Sequence, residues 1–295
     1  MILCVVRLLA RFPLAAAHVM GYVLGLWFFL IPNRERRQAR INIDLCLPEL
    51  TRAARRRLVR RCLIENAKTL MEMPGIWLGK PEVLVKRVIG REGRVTPEEL
   101  LGQGKGLILA APHIGSWELG IHYLARETPV TALYRPPREE VLENLIKAGR
   151  GRGGATLVPT TPQGVKALYR ALGRNEMVII LPDQQPRSSK RAGVFAPFFG
   201  YPALTMVLIN RLAQKTGAPV LFGYSQRLPW AGGYSIHFLP APEGIGADDP
   251  VVAATALNKG VENCVRRCPE QYQWSYKRFS IRPDGGRSPY KQPLT

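Results

Sequence analysis

Cysteine is sparse in this 295-residue chain. Its five positions, Cys4, Cys46, Cys62, Cys264 and Cys268, fit neither a paired disulfide framework nor a zinc-ligand spacing. That excludes a disulfide-stapled scaffold and suits a reducing compartment. The four histidines, His18, His113, His122 and His237, are scattered, so no metal site is legible and no cofactor is expected. There is no internal repeat and no low-complexity linker. Acid is also scarce: 22 Asp and Glu stand against 42 Lys and Arg, a net charge of +20. Such an excess calls for a polyanionic partner, either nucleic acid or a membrane surface rich in phosphate. Residues 34–61 weigh on that choice. They hold ten arginines against Glu35, Asp44 and Glu49, and not one aromatic. A nucleic-acid surface would interleave aromatics with its cations, so no nucleic-acid partner is expected.

Residues 13–32 (PLAAAHVMGYVLGLWFFLIP) contain no Lys, Arg, Asp or Glu. In a helix, twenty residues span about 30 Å, the thickness of a bilayer core. The segment lacks a small-x-small cleavage site before the basic run, so it does not read as a secretory signal. It is expected to be an uncleaved membrane anchor, with a helix lying flat in the interface as the alternative. The arginines that follow place this side in the cytoplasm, against anionic headgroups. The expected organisation is thus an anchor over residues 1–33 and one globular domain over 34–295.

Helical spacing of Val59, Leu63, Ala67 and Leu70, with Thr51 as cap, predicts a helix over 52–73, stopped at Pro74 and Gly75. Residues 71–78, with Trp77, read as a segment that lines an acyl-chain groove. From residue 83 strands and helices alternate. Strands are expected at 83–89, 107–111, 130–134, 155–158, 177–181, 219–224 and 234–239. Helices are expected at 96–101, 117–126, 139–147, 162–172, 203–216 and 249–267. This alternation predicts an α/β fold with a mainly parallel central sheet flanked by helices.

The most informative stretch is GLILAAPHIGSWE at 106–118. A short buried strand ends at Pro112, so His113 lies just past the C-terminal end of a strand, where open α/β sheets build their sites. Gly115 and Ser116 make a turn, with Ser116 as the cap of the next helix. That turn lets Glu118 fold back on the imidazole. A carboxylate on one ring nitrogen fixes the tautomer and leaves the other nitrogen as a base. A histidine in such a turn also serves as a plain structural cap, and the pattern alone does not decide between the two. His122, four residues after Glu118, lies on the same helix face.

Two further strand ends carry polar groups: Tyr134 with Arg135, and Asp183 with Gln184. In a parallel sheet these ends share an edge and can converge. Arg135 has the fork of donors that grips phosphate. The GRGRGG run at 149–154, with Arg152, has the composition of a phosphate cradle or of a flexible turn, but matches no nucleotide fingerprint. Asp183 reads as an acceptor-positioning acid or as a cap, and Lys190 and Arg191 as groups that balance it or reach a headgroup. Residues 193–200 (GVFAPFFG) cover an acyl chain or plug the core.

At these residues the chain resembles the lipid A biosynthesis late acyltransferases, the lauroyl/myristoyl transferase family. Their H-x4-D/E signature is matched by His113 and Glu118. NIDLCLPEL at 42–50, YRP at 134–136, LPDQ at 181–184, VFAPFFG at 194–200 and PEQYQW at 269–274 followed by KRF at 277–279 match in order. The resemblance departs at Pro112, where the family commonly has Asn, and at Gln185, where it often has Asp. It implies a glycerolipid-acyltransferase-like fold. It also implies acyl transfer from an acyl carrier protein thioester to a hydroxyacyl chain of a lipid A precursor, at the cytoplasmic face of the bacterial inner membrane. Acylation of another membrane glycolipid or glycerophospholipid is the alternative. In that reaction His113, held by Glu118, is the base. Backbone amides of Ser116 and Trp117 bind the oxyanion, and Tyr134, Arg135, Arg152, Asp183 and Gln184 hold the acceptor.

Overall fold

The computed structural model describes residues 2–137, 139–186 and 192–291. Lys190 and Arg191, assigned above to headgroup contact, lie outside the described residues. Helices α1 (Ile2–Leu9), α2 (Leu14–Leu30), α3 (Arg34–Cys46) and α4 (Arg52–Leu78) come first. The alternating part follows as α5 (Pro81–Val85), β1 (Val88–Glu92), α6 (Pro97–Leu101), β2 (Leu107–Ala110), α7 (Trp117–Glu127), β3 (Val130–Tyr134), α8 (Glu140–Arg152), β4 (Thr156–Pro159), α9 (Pro162–Gly173) and β5 (Met177–Ile180). A hairpin, β6 (Gly193–Phe198) and β7 (Tyr201–Met206), precedes α10 (Leu208–Thr216), β8 (Val220–Arg227), β9 (Tyr234–Pro240) and α11 (Pro250–Arg267).

Seven strands form one sheet in the order β1-β9-β8-β2-β5-β3-β4. All neighbours are parallel except β8 and β9. The central strands are short and wholly apolar, as strands covered on both faces must be. Their alternation divides the core. Leu107 and Leu109 of β2, Met177 and Ile179 of β5, and Leu221 of β8 face one layer with Ile121 and Leu124 of α7. Ile108, Ala110, Val178, Ile180 and Phe222 face the other, against residues of α3, α4, α9, α10 and α11. Because β2 and β5 are adjacent and parallel, the turns after Ala110 and Ile180 emerge side by side on one edge.

Several boundaries differ from expectation. α4 runs through Pro74 to Leu78 rather than stopping there. The carbonyl that Pro74 leaves without a helical donor belongs to Leu70, half exposed and within reach of water, while Ile76 and Trp77 are buried on the other side. Trp77, expected to line a groove, is buried instead. The expected strand at 83–89 is a short helix with Pro81 in its first turn, followed by an edge strand. α8 extends through the glycine-rich run to Arg152, so no cradle loop exists there. Residues 201–206 are a strand, not the start of a helix. Phe199 and Gly200, both at positive φ, form the two-residue turn that sets this hairpin. Phe198 packs on Tyr272 and Phe279, so residues 193–200 plug the core.

The amino-terminal apolar segment is docked, not free. α2 presents Ala17, His18, Gly21 and Gly25 to α4 and leaves Val19, Tyr22, Val23, Trp27 and Leu30 exposed. At Gly25 a Cβ would lie 2.3 Å from the Ile64 Cα, so only glycine permits this approach. The contact carries a buried polar cluster. Glu72 of α4 accepts from Arg227 at 2.6 and 3.0 Å, from the Tyr234 hydroxyl at 2.8 Å and pairs with His18 Nε2 at 3.0 Å. Among the described residues no single helix is long and apolar enough to cross a membrane. α1 and α2 meet that test only as a pair, bent by 118°.

Candidate active site

The site grows from the turn after β2. Ile114 N–H donates to the Pro112 carbonyl at 2.7 Å, which places His113 at the centre of a γ-turn. The next residues are sewn to two distant segments. Gly115 N–H donates to the Gln271 carbonyl at 3.1 Å, Gln273 N–H to the His113 carbonyl at 3.1 Å, and Ser116 N–H to the Ser225 carbonyl at 2.8 Å. Gly115 has φ +61°, and a Cβ there would stand 2.0 Å from the Ser225 oxygen. Glycine is therefore obligatory for this stitch. The Gln271 side chain accepts from the Arg227 N–H and donates to the Arg227 carbonyl, both at 2.8 Å, and so holds the same segment to β8.

The carboxylate on the imidazole is Asp183. His113 Nδ1 lies 2.8 Å from Asp183 Oδ1, and the His113 N–H donates to Oδ2 at 3.2 Å. One buried carboxylate thus grips both ring and main chain. Burial works against its charge. The facing His113 ring and the hydrogen bonds from ring and backbone outweigh burial and hold the Asp183 carboxyl below its usual range. With Nδ1–H donating a hydrogen bond to the Asp183 carboxylate, His113 Nε2 carries the lone pair. The Gln184 amide nitrogen sits 3.3 Å from Nε2 and also donates to Gln273 Oε1 at 3.3 Å. The Trp117 ring meets the imidazole edge-on, 5.0 Å between centroids. Beneath it, between α7 and the sheet, Trp117, Ile121, Leu124, Leu109, Ile179 and Phe238 line an apolar slot that also passes Gly120 and Gly223.

The expected His113–Glu118 pair is corrected by this geometry. Glu118 points toward α8, where Arg150 Nε donates to Oε2 at 2.8 Å and Nη2 donates to Oε1. Both partners are buried. Burial disfavours the Glu118 charge, yet Arg150 more than offsets it and keeps the carboxyl depressed. A guanidinium with its fork of donors is a better partner for a buried carboxylate than a neutral ring. His122 is buried behind this pair, and burial lowers the pKa of its ring so that it stays neutral.

The expected roles of Ser116 and Arg152 are corrected as well. The Ser116 amide is occupied by the Ser225 carbonyl, so it cannot bind an oxyanion; its hydroxyl makes no capping bond to α7. Arg152 donates to the Trp77 carbonyl and caps the last turn of α4. The Tyr134 hydroxyl donates to Glu143 at 2.9 Å. Arg135 remains exposed at the end of β3. The buried thiols of Cys62, Cys264 and Cys268 are pushed up to about 12 by burial and are inert. Gln271 and Gln273 were missed from the sequence, because side chains in a loop so far along the chain carry no local signal.

Comparison with known proteins completes the site. The chain is 29% identical over 291 residues to the lipid A biosynthesis lauroyltransferase of Escherichia coli K12, covering 97% of this chain and 92% of that protein. It is 29% identical over 265 residues to the palmitoleoyltransferase of the same strain, with coverages of 88% and 84%. A lipid A biosynthesis acyltransferase of Haemophilus influenzae is 28% identical over 283 residues, with coverages of 94% and 86%. A family model for bacterial lipid A biosynthesis acyltransferases matches residues 1–280, and the chain is an acyltransferase belonging to that family.

Proposed function

We propose that this acyltransferase moves a fatty acyl group from an acyl carrier protein thioester to the hydroxyl of a hydroxyacyl chain on a lipid A precursor. The observation that carries the reading is the His113 ring, oriented by Asp183 and set against Trp117, which lines an apolar slot. The acceptor hydroxyl displaces the Gln184 amide from Nε2. As the oxygen attacks the thioester carbonyl, Nε2 takes its proton. The carbonyl oxygen, now negative, faces the first-turn amides of α7, starting at Trp117. The C–S bond then breaks, the imidazolium returns the proton to the leaving thiolate, and an ester remains. Asp183 stabilises the imidazolium throughout. No acyl-enzyme is needed. Glu118 acts through Arg150, fixing α8 against α7, and is a positioning residue.

Charge and exposed apolar surface support a proposed location. The outward face of α2 would lie in the interfacial layer of the inner membrane. The arginines of α3 and α4 would face anionic headgroups on the cytoplasmic side. Acidic carrier protein and phosphorylated acceptor both suit a surface of this sign. Arg135, exposed on the catalytic edge, would contact one of them. The test is mass spectrometry of a lipid A precursor incubated with the full-length protein and a panel of acyl carrier protein thioesters. The expected product gains one acyl mass by an ester. Thioester consumption without acylated lipid A precursor would overturn the reading.

A further inference from the structure

A cavity of about 300 Å³ lies outside the catalytic edge, at the start of α3. Arg34, Arg37 and Lys277 line it, together with Asn33, Gln38 and Tyr290. No carboxylate lines it, and none of the three cations makes an ion pair among the described residues. Three positive charges around one hollow repel one another, which is unfavourable unless an anion occupies it. Arg37 Nη2 is buried with no hydrogen-bond partner, although a buried donor normally has one. Other side chains of the cavity are fixed. The Tyr290 hydroxyl donates to Asn42 Oδ1 and accepts from the Phe279 N–H at 3.1 Å. Asn33 caps α3 and ties back to the Phe28 and Ile31 carbonyls. Gln38, with its amide nitrogen toward the Ser275 carbonyl, accepts from Arg34 Nε at 2.8 Å.

We infer that this cavity is a binding site for a phosphomonoester on a lipid at the membrane surface. A phosphomonoester carries a charge of about −1.5 to −2 at neutral pH and three acceptor oxygens, which suits three cations better than a singly charged diester or carboxylate does. The approach is also set. Pro32 and Asn33 line the cavity directly after the exposed apolar residues Trp27, Leu30 and Ile31. A headgroup held there has its chains on the apolar side. Lys277 belongs to the segment that also carries Gln273, bonded to the His113 carbonyl, and Tyr276, whose hydroxyl accepts from the Gln185 N–H at 2.9 Å. The cavity and the base are therefore fastened to one stretch of chain. Resting on the proposed function, the occupant is a phosphate of the acceptor lipid, gripped while a distant hydroxyl reaches His113.

The test uses full-length Arg37→Gln, Lys277→Gln and the double variant, with Arg57→Gln/Arg60→Gln on the exposed face of α4 as a charge-matched control. With the phosphorylated acceptor, each pocket variant should raise KM about tenfold at nearly constant kcat. With the enzymatically dephosphorylated acceptor, wild type and variants should converge. The control should shift both acceptors alike. Equal KM effects of pocket and control variants on the phosphorylated acceptor would overturn the inference. A separate readout does not depend on turnover. Vesicles doped with phosphatidic acid should bind wild type more tightly than those with equal charge as phosphatidylglycerol, and the double variant should lose that preference. Free inorganic phosphate at millimolar concentration should compete only weakly if the lipid is the occupant. Strong competition, with no preference between vesicles, would mean a site for the free ion and would also overturn it. A protein with no acyl transfer but an intact vesicle preference would refute the function and keep the site.

Discussion

At the residue scale, the two buried carboxylates near the active-site turn have separable jobs. Asp183→Asn keeps the shape but loses the charge that faces the His113 ring and, in the proposed reaction, stabilises the imidazolium. A fall in kcat of about 10²- to 10⁴-fold with little change in thermal midpoint is expected. Glu118→Gln instead leaves Arg150 buried without its counter-charge. It should cost about 3–5 kcal/mol of stability, seen as a lower melting temperature, with activity recovering in Glu118→Gln/Arg150→Met. A Glu118→Gln protein that melted normally yet had lost turnover would reverse these assignments. His113 itself was legible from its place at a strand end. Its partner was not, because spacing along a chain reports local neighbours. Glu118 is five residues away and Asp183 is seventy, and only the adjacency of β2 and β5 brings the latter in.

At the element scale, the buried β strands were read correctly because their apolar runs leave no other placement. Among the misread elements, which include α4 and α5, α8 and β7 are those where tertiary contacts override local preference. Glycines at 149 and 151 weaken a helix by about 1 kcal/mol each. The buried Arg150–Glu118 pair at the same turn holds α8 together regardless. The docking of α2 makes two predictions. Gly25→Val should push α2 off α4, exposing the 10–30 region to limited proteolysis while the sheet core stays protected. Acid should act at the same interface. Burial opposes the charge on Glu72, but Arg227 and His18 outweigh it and bring its carboxyl down to about 2 from 4.5. A depressed carboxyl contributes fully above its ordinary value and loses that contribution as pH falls from 4.5 toward 2. The loss is about 3 kcal/mol. Melting curves at pH 5 and pH 3 should show the drop, and Glu72→Gln should flatten it while lowering stability at neutral pH.

At the scale of the whole molecule, the charge excess read from composition becomes a basic flank next to an apolar one. The hairpin between β8 and β9 adds to the latter. Its tip carries Trp230, fully exposed, beside α2. Indole favours the headgroup layer. Flotation with vesicles containing anionic lipid should therefore fall with rising salt, since exposed charges are screened over about 8 Å at physiological ionic strength. Trp27→Glu/Trp230→Glu should weaken the residual binding at high salt. Binding that ignored both salt and these substitutions would argue for deeper insertion than a docked α2 allows.

The stitches that hold the His113 turn bear on when the molecule becomes competent. Residues 14–30 are made before the sheet and, under the proposed location, can meet lipid before the sheet forms. The hydrogen bonds from Gly115 and Gln273 need residues 271–273, which are made long after α2. A nascent chain can thus reach its surface well before it can react. If the proposed location and donor hold, chains stalled or clipped ahead of residue 271 should gather at the bilayer as inert protein, and they would consume no thioester there.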